Sequence, residues 1–273
     1  MTGPTASSPR SYLFVPGNRP ERFDKARASA ADAVIVDLED AVPTDQKDAA
    51  RATVAAWLDE QRSAAAGRPI VLRINAADTP WFAADAALCR HAGIAAVMLA
   101  KAERADQLAA IGGTTPLIPL IESAAGFDAL RAIAAAPKVQ RLAFGAIDLQ
   151  LELNMRASFD ELLFFRSQLV LVSRLANLGP PIDSPSTAID DGAEVEAEAQ
   201  RARRLGFGAK LCIHPKQLDA VNRGFGPSEA ELAWARRVIE VAEASRGAAV
   251  ALDGKMIDKP VILRAQAMLR EPS

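Results

Sequence analysis

The sequence predicts a (β/α)8 barrel of the TIM type with a C-terminal helical and extended extension. Three observations carry that prediction. Eight short apolar runs alternate with helical segments, no hairpin dipeptide joins one run to the next, and 273 residues suit a single barrel. An open doubly wound sheet is the competing arrangement, but Pro16-Gly17-Asn18 after the first run is no glycine-rich dinucleotide turn.

The elements follow in order. Tyr12-Leu13-Phe14-Val15 is a strand closed by Pro16-Gly17-Asn18, and Arg19 to Ala31 has helical composition, with Glu21 and Asp24 near its positive end. Ala33 to Leu38 is a second strand running into the acidic cluster Asp37, Glu39 and Asp40, and an Ala-rich helix extends from about Asp45 to Ala66. Pro69 to Asn75 is a third strand, after which Thr79 and Pro80 suit the N-cap and first position of a helix. Ala95 to Leu99 is a fourth, closed by Ala100-Lys101. The fifth and sixth runs, Leu117 to Glu122 and Arg141 to Asp148, each finish on a carboxylate and flank a helix from Gly126 to Ala136. A helix from about Ser158 to Leu178 stops at Gly179-Pro180-Pro181. Pro181-Ile182-Asp183 is a weak seventh strand, Asp190 to Leu205 a helix, and Ala209 to Ile213 the eighth strand. Beyond the barrel, Ser228 and Glu231 form a capping box for a helix to about Arg246. Gly254 to Asp258 then reads as a short strand, separated from a final helix by Pro260. The domain reading is a flexible tail at 1–9, a barrel at 10–225 and an extension at 226–273.

Composition excludes several classes. A net charge of -2 with interspersed Arg, Glu and Asp offers no basic field for nucleic acid. No span is long and apolar enough for a membrane and the N-terminus has no signal-peptide pattern, so the expectation is a cytoplasmic protein. Cys89 and Cys212 sit in apolar-periodic segments and read as buried thiols, not a disulfide framework.

Barrel active sites lie at the C-terminal ends of the strands, which collects Asp37, Glu39, Asp40, Arg73, Asn75, Lys101, Glu122, Asp148 and His214. Right-handed crossovers bring Glu122 and Asp148 to one mouth, and two hard carboxylates are enough for Mg²⁺, which leaves its other positions to water and substrate oxygens. An N-cap or loop salt bridge is the alternative for each. Arg73 either grips a substrate carboxylate through its planar fork or pairs with the acidic cluster, and Glu39 can orient it for both. Lys101 is a Schiff-base lysine or, more simply, the partner of a carboxylate. His214 is a base or a loop-bonding residue. His91 reads as mid-helix without an evident partner.

Eight segments in order carry a resemblance: 11–17 (SYLFVPG), 37–42 (DLEDAV), 73–75 (RIN), 101–103 (KAE), 121–122 (IE), 145–149 (GAIDL), 212–215 (CIHP) and 254–260 (GKMIDKP). Together they resemble the citrate lyase β-subunit-like family of the HpcH/HpaI aldolase/citrate lyase superfamily, over almost the whole chain. The resemblance implies a homotrimeric TIM barrel with Mg²⁺ held by Glu122 and Asp148. It implies that Arg73 binds the carboxylate of a 2-keto or hydroxy acid, helped by backbone amides around Gly145, Ala146 and Asp148. Glu39 and Lys101 join the substrate-binding set. The extension is implied to cover a neighbouring subunit's mouth, where Asp258 acts as acid or base. The implied activity is cleavage or condensation of a β-hydroxyacyl-CoA such as citramalyl-CoA or malyl-CoA. Alternatives are hydrolysis of the same thioester, or work as a citrate lyase β subunit on an acyl-carrier-protein thioester. Arg19 and Lys25 are the guesses for CoA phosphate contacts. Two positions depart from the family pattern: Ile147, where members often carry Glu or Gln, and Ala100, where many carry Pro.

Overall fold

The computed structural model describes residues 8–61, 67–244 and 250–270. Within them eight parallel strands close in chain order into a barrel. They are β1 (Ser11–Pro16), β2 (Ala33–Asp37), β3 (Ile70–Ile74), β4 (Ala96–Leu99), β5 (Leu117–Ile121), β6 (Ala143–Phe144), β7 (Ile182–Asp183) and β8 (Ala209–Cys212). The seam is closed by β1 against β8, with Tyr12 opposite Leu211.

Because successive strand residues point to opposite faces, each apolar run serves two cores. Ile35, Val71, Met98, Leu120, Ala143, Ile182 and Leu211 pack inside the barrel. Their neighbours Val36, Leu72, Leu99, Ile121, Phe144 and Cys212 belong to the core beneath the helices. That double burial is the reason the runs lack apolar-polar alternation.

The helices are α1 (Phe23–Arg27), α2 (Lys47–Glu60), α3 (Phe82–Leu88), α4 (Ala105–Ala110), α5 (Ala124–Asp128), α6 (Leu130–Ala134), α7 (Ala146–Glu152), α8 (Leu163–Leu175), α9 (Gly192–Leu205) and α10 (Leu218–Phe225). Several differ from expectation. The helix after β1 is a 3-10 turn at Pro20–Arg22 followed by the short α1. Thr79 does not cap a helix. Its hydroxyl bonds the Ala76 carbonyl at 2.7 Å, and α3 starts at Phe82. The segment from Gly126 divides into α5 and α6, with Ser123 as N-cap. His91 lies past the end of α3, where its Nδ1 accepts the Gly93 amide at 3.0 Å and its Nε2 is 3.1 Å from Asp59. The sixth strand stops at Phe144, so Asp148 stands in the first turn of α7. Both cysteines are buried, and burial pushes their thiols up to about 12, which leaves them inert.

The extension has its own small core. Helix α11 (Glu229–Ala244) begins with the expected box, Glu231 N donating to Ser228 Oγ at 3.2 Å and Ser228 N to Glu231 Oε2 at 2.9 Å. The single short strand expected near Gly254 is a hairpin of β9 (Val250–Leu252) and β10 (Lys255–Ile257). Asp253 and Gly254 both take positive φ in its turn, the conformation a type I′ hairpin needs. Helix α12 (Lys259–Arg270) carries Pro260 inside its first turn, where a missing N–H costs nothing. Ala235, Val238, Ile257, Ala265 and Met268 form one cluster, separate from the barrel cores. The start of the N-terminal tail (1–7), the expected helix end at Ala66 and the stretch around Arg246 and Ala248 lie outside the described residues. Among the described residues no helix is long and apolar enough to cross a membrane.

Candidate active site

One further step of the strand period builds the site. Asp37, Arg73, Glu122, Gly145, Ser184 and Ile213 lie two residues beyond the inner positions Ile35, Val71, Leu120, Ala143, Ile182 and Leu211. All six line a cavity of about 780 Å³ at the C-terminal mouth of the barrel. Phe14, Arg22, Lys25, Asp148, Pro185 and His214 line it too.

Arg73 is held from several sides. Its Nε and Nη2 donate to the two Asp37 carboxylate oxygens at 2.7 and 2.6 Å, its Nη1 lies 3.0 Å from Glu39 Oε2 and 3.5 Å from Asp40, and its guanidinium stacks 4.7 Å from the Phe14 ring centroid. Burial works against the charge, but Asp37, Glu39 and Asp40 outweigh it and raise the pKa above the ordinary arginine value. Both sequence readings therefore meet at this residue. The inner edge of the fork pairs with Asp37, while the remaining N–H groups on Nη1 and Nη2 face the acids and the cavity. The acidic loop is itself pinned. Asp37 accepts the Glu39 and Ala41 amides, buried Lys47 Nζ bonds the Leu38 and Glu39 carbonyls at 2.8 and 2.7 Å, and Asn75 bonds the Leu38 carbonyl.

Glu122 is the least comfortable charge in the mouth. Burial, and then the charge of Asp148, push its carboxyl up to about 8, against the opposing pull of the Lys101 amide and Arg73. Oε1 accepts that amide at 2.8 Å. A Cβ on Gly145 would overlap the Glu122 side chain, lying 2.5 Å from its Cβ. The missing Cβ is thus what lets the carboxylate occupy this position. Asp148 has no hydrogen bond or ion pair among the described residues. Two adjoining carboxylates, one burdened by its neighbour's charge and the other unpartnered, make a hard-oxygen pair whose repulsion a divalent cation would relieve. The donor set therefore fits Mg²⁺. Among the described residues no three His, Cys, Asp or Glu side chains converge as a fuller cage.

Lys101, Glu39 and Ala146 are among the sequence-chosen residues that do not line the cavity, and they act through others. Lys101 takes a left-handed backbone conformation (φ 47°) that aims its amide at Glu122, while its Nζ lies 3.3 Å from Glu39. Glu39 braces Arg73. Ala146 donates its amide to Ser184 Oγ at 3.1 Å, and the Gly145 amide is spent on the Ile121 carbonyl at 3.0 Å. Neither amide is left for a ligand. The first-turn N–H groups of α7 without an acceptor among the described residues are those of Ile147 and Asp148.

Asp258 lies outside the cavity wall of its own chain. Its carboxylate accepts the Val261 amide at 3.3 Å at the start of α12. Of the two guesses for phosphate contacts, Lys25 lines the cavity and Arg19 does not, being paired with Glu21 at 2.6 Å. His214 lines it, with Nδ1 accepting the Lys216 amide at 3.2 Å. Arg22, Ser184 and Ile213 escaped notice in the sequence, although the period-2 count from β7 and β8 marks the latter two.

The chain matches the family model described as HpcH/HpaI aldolase/citrate lyase over residues 10–215. It is 38% identical over 271 residues to a citrate lyase subunit beta-like protein of Mycobacterium tuberculosis, covering 95% of this chain and 94% of that one. It is 34% identical over 267 residues to a (3S)-malyl-CoA thioesterase of Cereibacter sphaeroides, covering 95% and 93%. The fold superposes with a TM-score of 0.86, at 37% identity and over 97% of this chain and 98% of the other, on the CitE protein of Mycobacterium tuberculosis in complex with magnesium, acetoacetate and coenzyme A.

Proposed function

The chain belongs to the HpcH/HpaI aldolase/citrate lyase family, and from that premise we propose that it is a Mg²⁺-dependent carbon-carbon lyase. Its substrate would be a β-hydroxyacyl-CoA such as citramalyl-CoA or malyl-CoA, cleaved to, or condensed from, acetyl-CoA and a 2-keto acid. The observation that carries this reading is the pair of buried Glu122 and unpartnered Asp148 lining one cavity with Arg73. Glu122 and Asp148 would hold the ion, which when bound supplies Lewis-acid polarisation of a hydroxyl or carbonyl oxygen.

The remaining chemistry falls to the chain. Cleavage needs a base to take the β-hydroxyl proton. The oxygen electron pair then forms the carbonyl of the keto acid, the bond between the α and β carbons breaks, and its electrons pass to the thioester as an enolate that is protonated to acetyl-CoA. We assign the proton-carrying role to Asp258. Arg73, through its N–H groups not taken by Asp37, receives the carboxylate of the acid. The free Ile147 and Asp148 amides add donors at the same edge. Arg22 and Lys25 on the opposite rim suit the phosphates of CoA.

Asp258 sits on a separate cluster and lines none of its own cavity, which supports delivery by a neighbouring subunit in a homotrimer. The relative that is a malyl-CoA thioesterase supports a second outcome, water attack at the same acyl group. A panel of thioesters with purified protein and Mg²⁺ separates the readings by product. Acetyl-CoA plus keto acid marks the lyase, and free CoA plus intact hydroxy acid marks hydrolysis. Turnover only of a thioester on an acyl-carrier protein marks a citrate lyase β subunit. Inertness toward all of them overturns the proposal.

A further inference from the structure

The cavity has two unlike walls. Asp37, Arg73 and Glu122 crowd charge onto the ends of β2, β3 and β5. Across from them Ile147, Pro185 and Ile213 follow the adjacent strands β6, β7 and β8. Ile147 is 49% exposed and Ile213 44%, and they are the two exposed large aliphatic residues that line this cavity. Open aliphatic surface at the ends of these adjacent strands, beside Asp148, is an unsatisfied hydrophobic contact, and a ligand group gains by covering it.

Ile147 is not free to stand elsewhere. It occupies the residue before Asp148 in the first turn of α7, whose entry is pinned by the Gly145 amide on Ile121 and the Ala146 amide on Ser184. A ligand held at Asp148 therefore lies next to the Ile147 side chain. The nearby cations are already engaged, Arg73 by Asp37, Glu39 and Asp40, and Lys101 by Glu39. Arg22 and Lys25 belong to the segment after β1, three strands round the barrel from β6. A second carboxylate placed against Ile147 would lose water and meet no arginine or lysine on that wall, whereas a methyl group there would gain by covering apolar surface.

We propose that Ile147, with Pro185 and Ile213 beside it, is a specificity subsite for a short alkyl substituent on the carbon that bears the reacting oxygen. The site then takes a 2-keto acid carrying a methyl-sized group in preference to one carrying hydrogen or a second carboxylate. This rests on the reading of the site as one for keto acids, and it narrows the substrate class.

Calorimetric titration of the full-length protein in Mg²⁺ with pyruvate, glyoxylate and freshly dissolved oxaloacetate tests it without relying on turnover. Pyruvate is expected to bind about tenfold or more tightly than oxaloacetate and several-fold more tightly than glyoxylate, the range a single methyl-sized contact provides. Ile147→Gln should compress the pyruvate-to-oxaloacetate ratio at least about fivefold, and Ile147→Val should keep it. Equal or tighter oxaloacetate binding overturns the proposal, as does an unchanged ratio in Ile147→Gln. So does a change in assembly size in that variant with the ratio intact, which would make the wall a subunit contact. The same binding order without carbon-carbon cleavage or condensation would instead overturn the catalytic reading and leave the subsite standing.

Discussion

Glu122 shows how much one residue's surroundings decide. In solution it is an ordinary carboxylate, but under burial and beside Asp148 it holds its proton to about pH 8. The folded value exceeds the unfolded 4.5, so the metal-free fold binds a proton that the unfolded chain releases. The stability this provides is complete below pH 4.5 and is lost as pH rises through about 8. Melting temperature of the metal-free protein should therefore fall across that window. Saturating Mg²⁺ should flatten the slope, because the ion replaces the proton. Glu122→Gln should flatten it without metal, and a wild-type slope in that variant would remove Glu122 as its source.

At the scale of elements, the site depends on where a strand gives way to a helix. The run from Arg141 to Asp148 holds two strand residues, a glycine N-cap and the first turn of α7. The break lets a single short segment serve both members of the carboxylate pair. Gly145 makes room for Glu122, and three residues later Asp148 rises from the helix. Gly145→Ala is expected to lose at least about tenfold in Mg²⁺ affinity, read by titration, because the added methyl would lie 2.5 Å from Glu122 Cβ and must shift both the carboxylate and the backbone that carries it. Wild-type affinity would show that the close approach is not needed. Lys101 does related work through its backbone, since a left-handed conformation, uncommon outside glycine, turns its amide onto Glu122 and its side chain toward Glu39.

At the scale of the molecule, a barrel and a small C-terminal unit keep separate cores, and the proposed acid-base residue is on the second. Asp258 also caps α12, so its replacement by Ala would mix a cap loss of about 1 kcal/mol with any loss of chemistry. Asp258→Asn keeps a capping oxygen and removes the proton carrier. If each mouth uses a neighbour's Asp258, Asp258→Asn and Glu122→Gln chains should each be inactive alone. Refolded together, they should regain a measurable fraction of activity at mouths that pair an intact Glu122 with an intact Asp258. Complementation that never exceeds the two separate backgrounds would place the residue's action within its own chain.

The sequence by itself determined the barrel, the order of its strands and the identity of its most polar end residues. Runs such as Val34-Ile35-Val36 bury both faces and cannot read as anything but interior strand, and each terminates where the chain must meet water. The hairpin at Asp253-Gly254 falls on the other side: the sequence reads as one short strand from Gly254 to Asp258, and the structure supplies its partner β9 and the turn between them. Tertiary structure decided what those end residues do. Whether Arg73 pairs with Asp37, whether the Ala146 amide is available and whether Glu122 keeps its proton depend on groups 36, 38 and 26 residues away in the chain. Such contacts are set by closure of the barrel, which brings distant strand ends to one mouth, and no local pattern encodes their distances. Ile147 lies on the same divide. Its apolar character is written in the sequence, and only the closed barrel turns it toward the cavity.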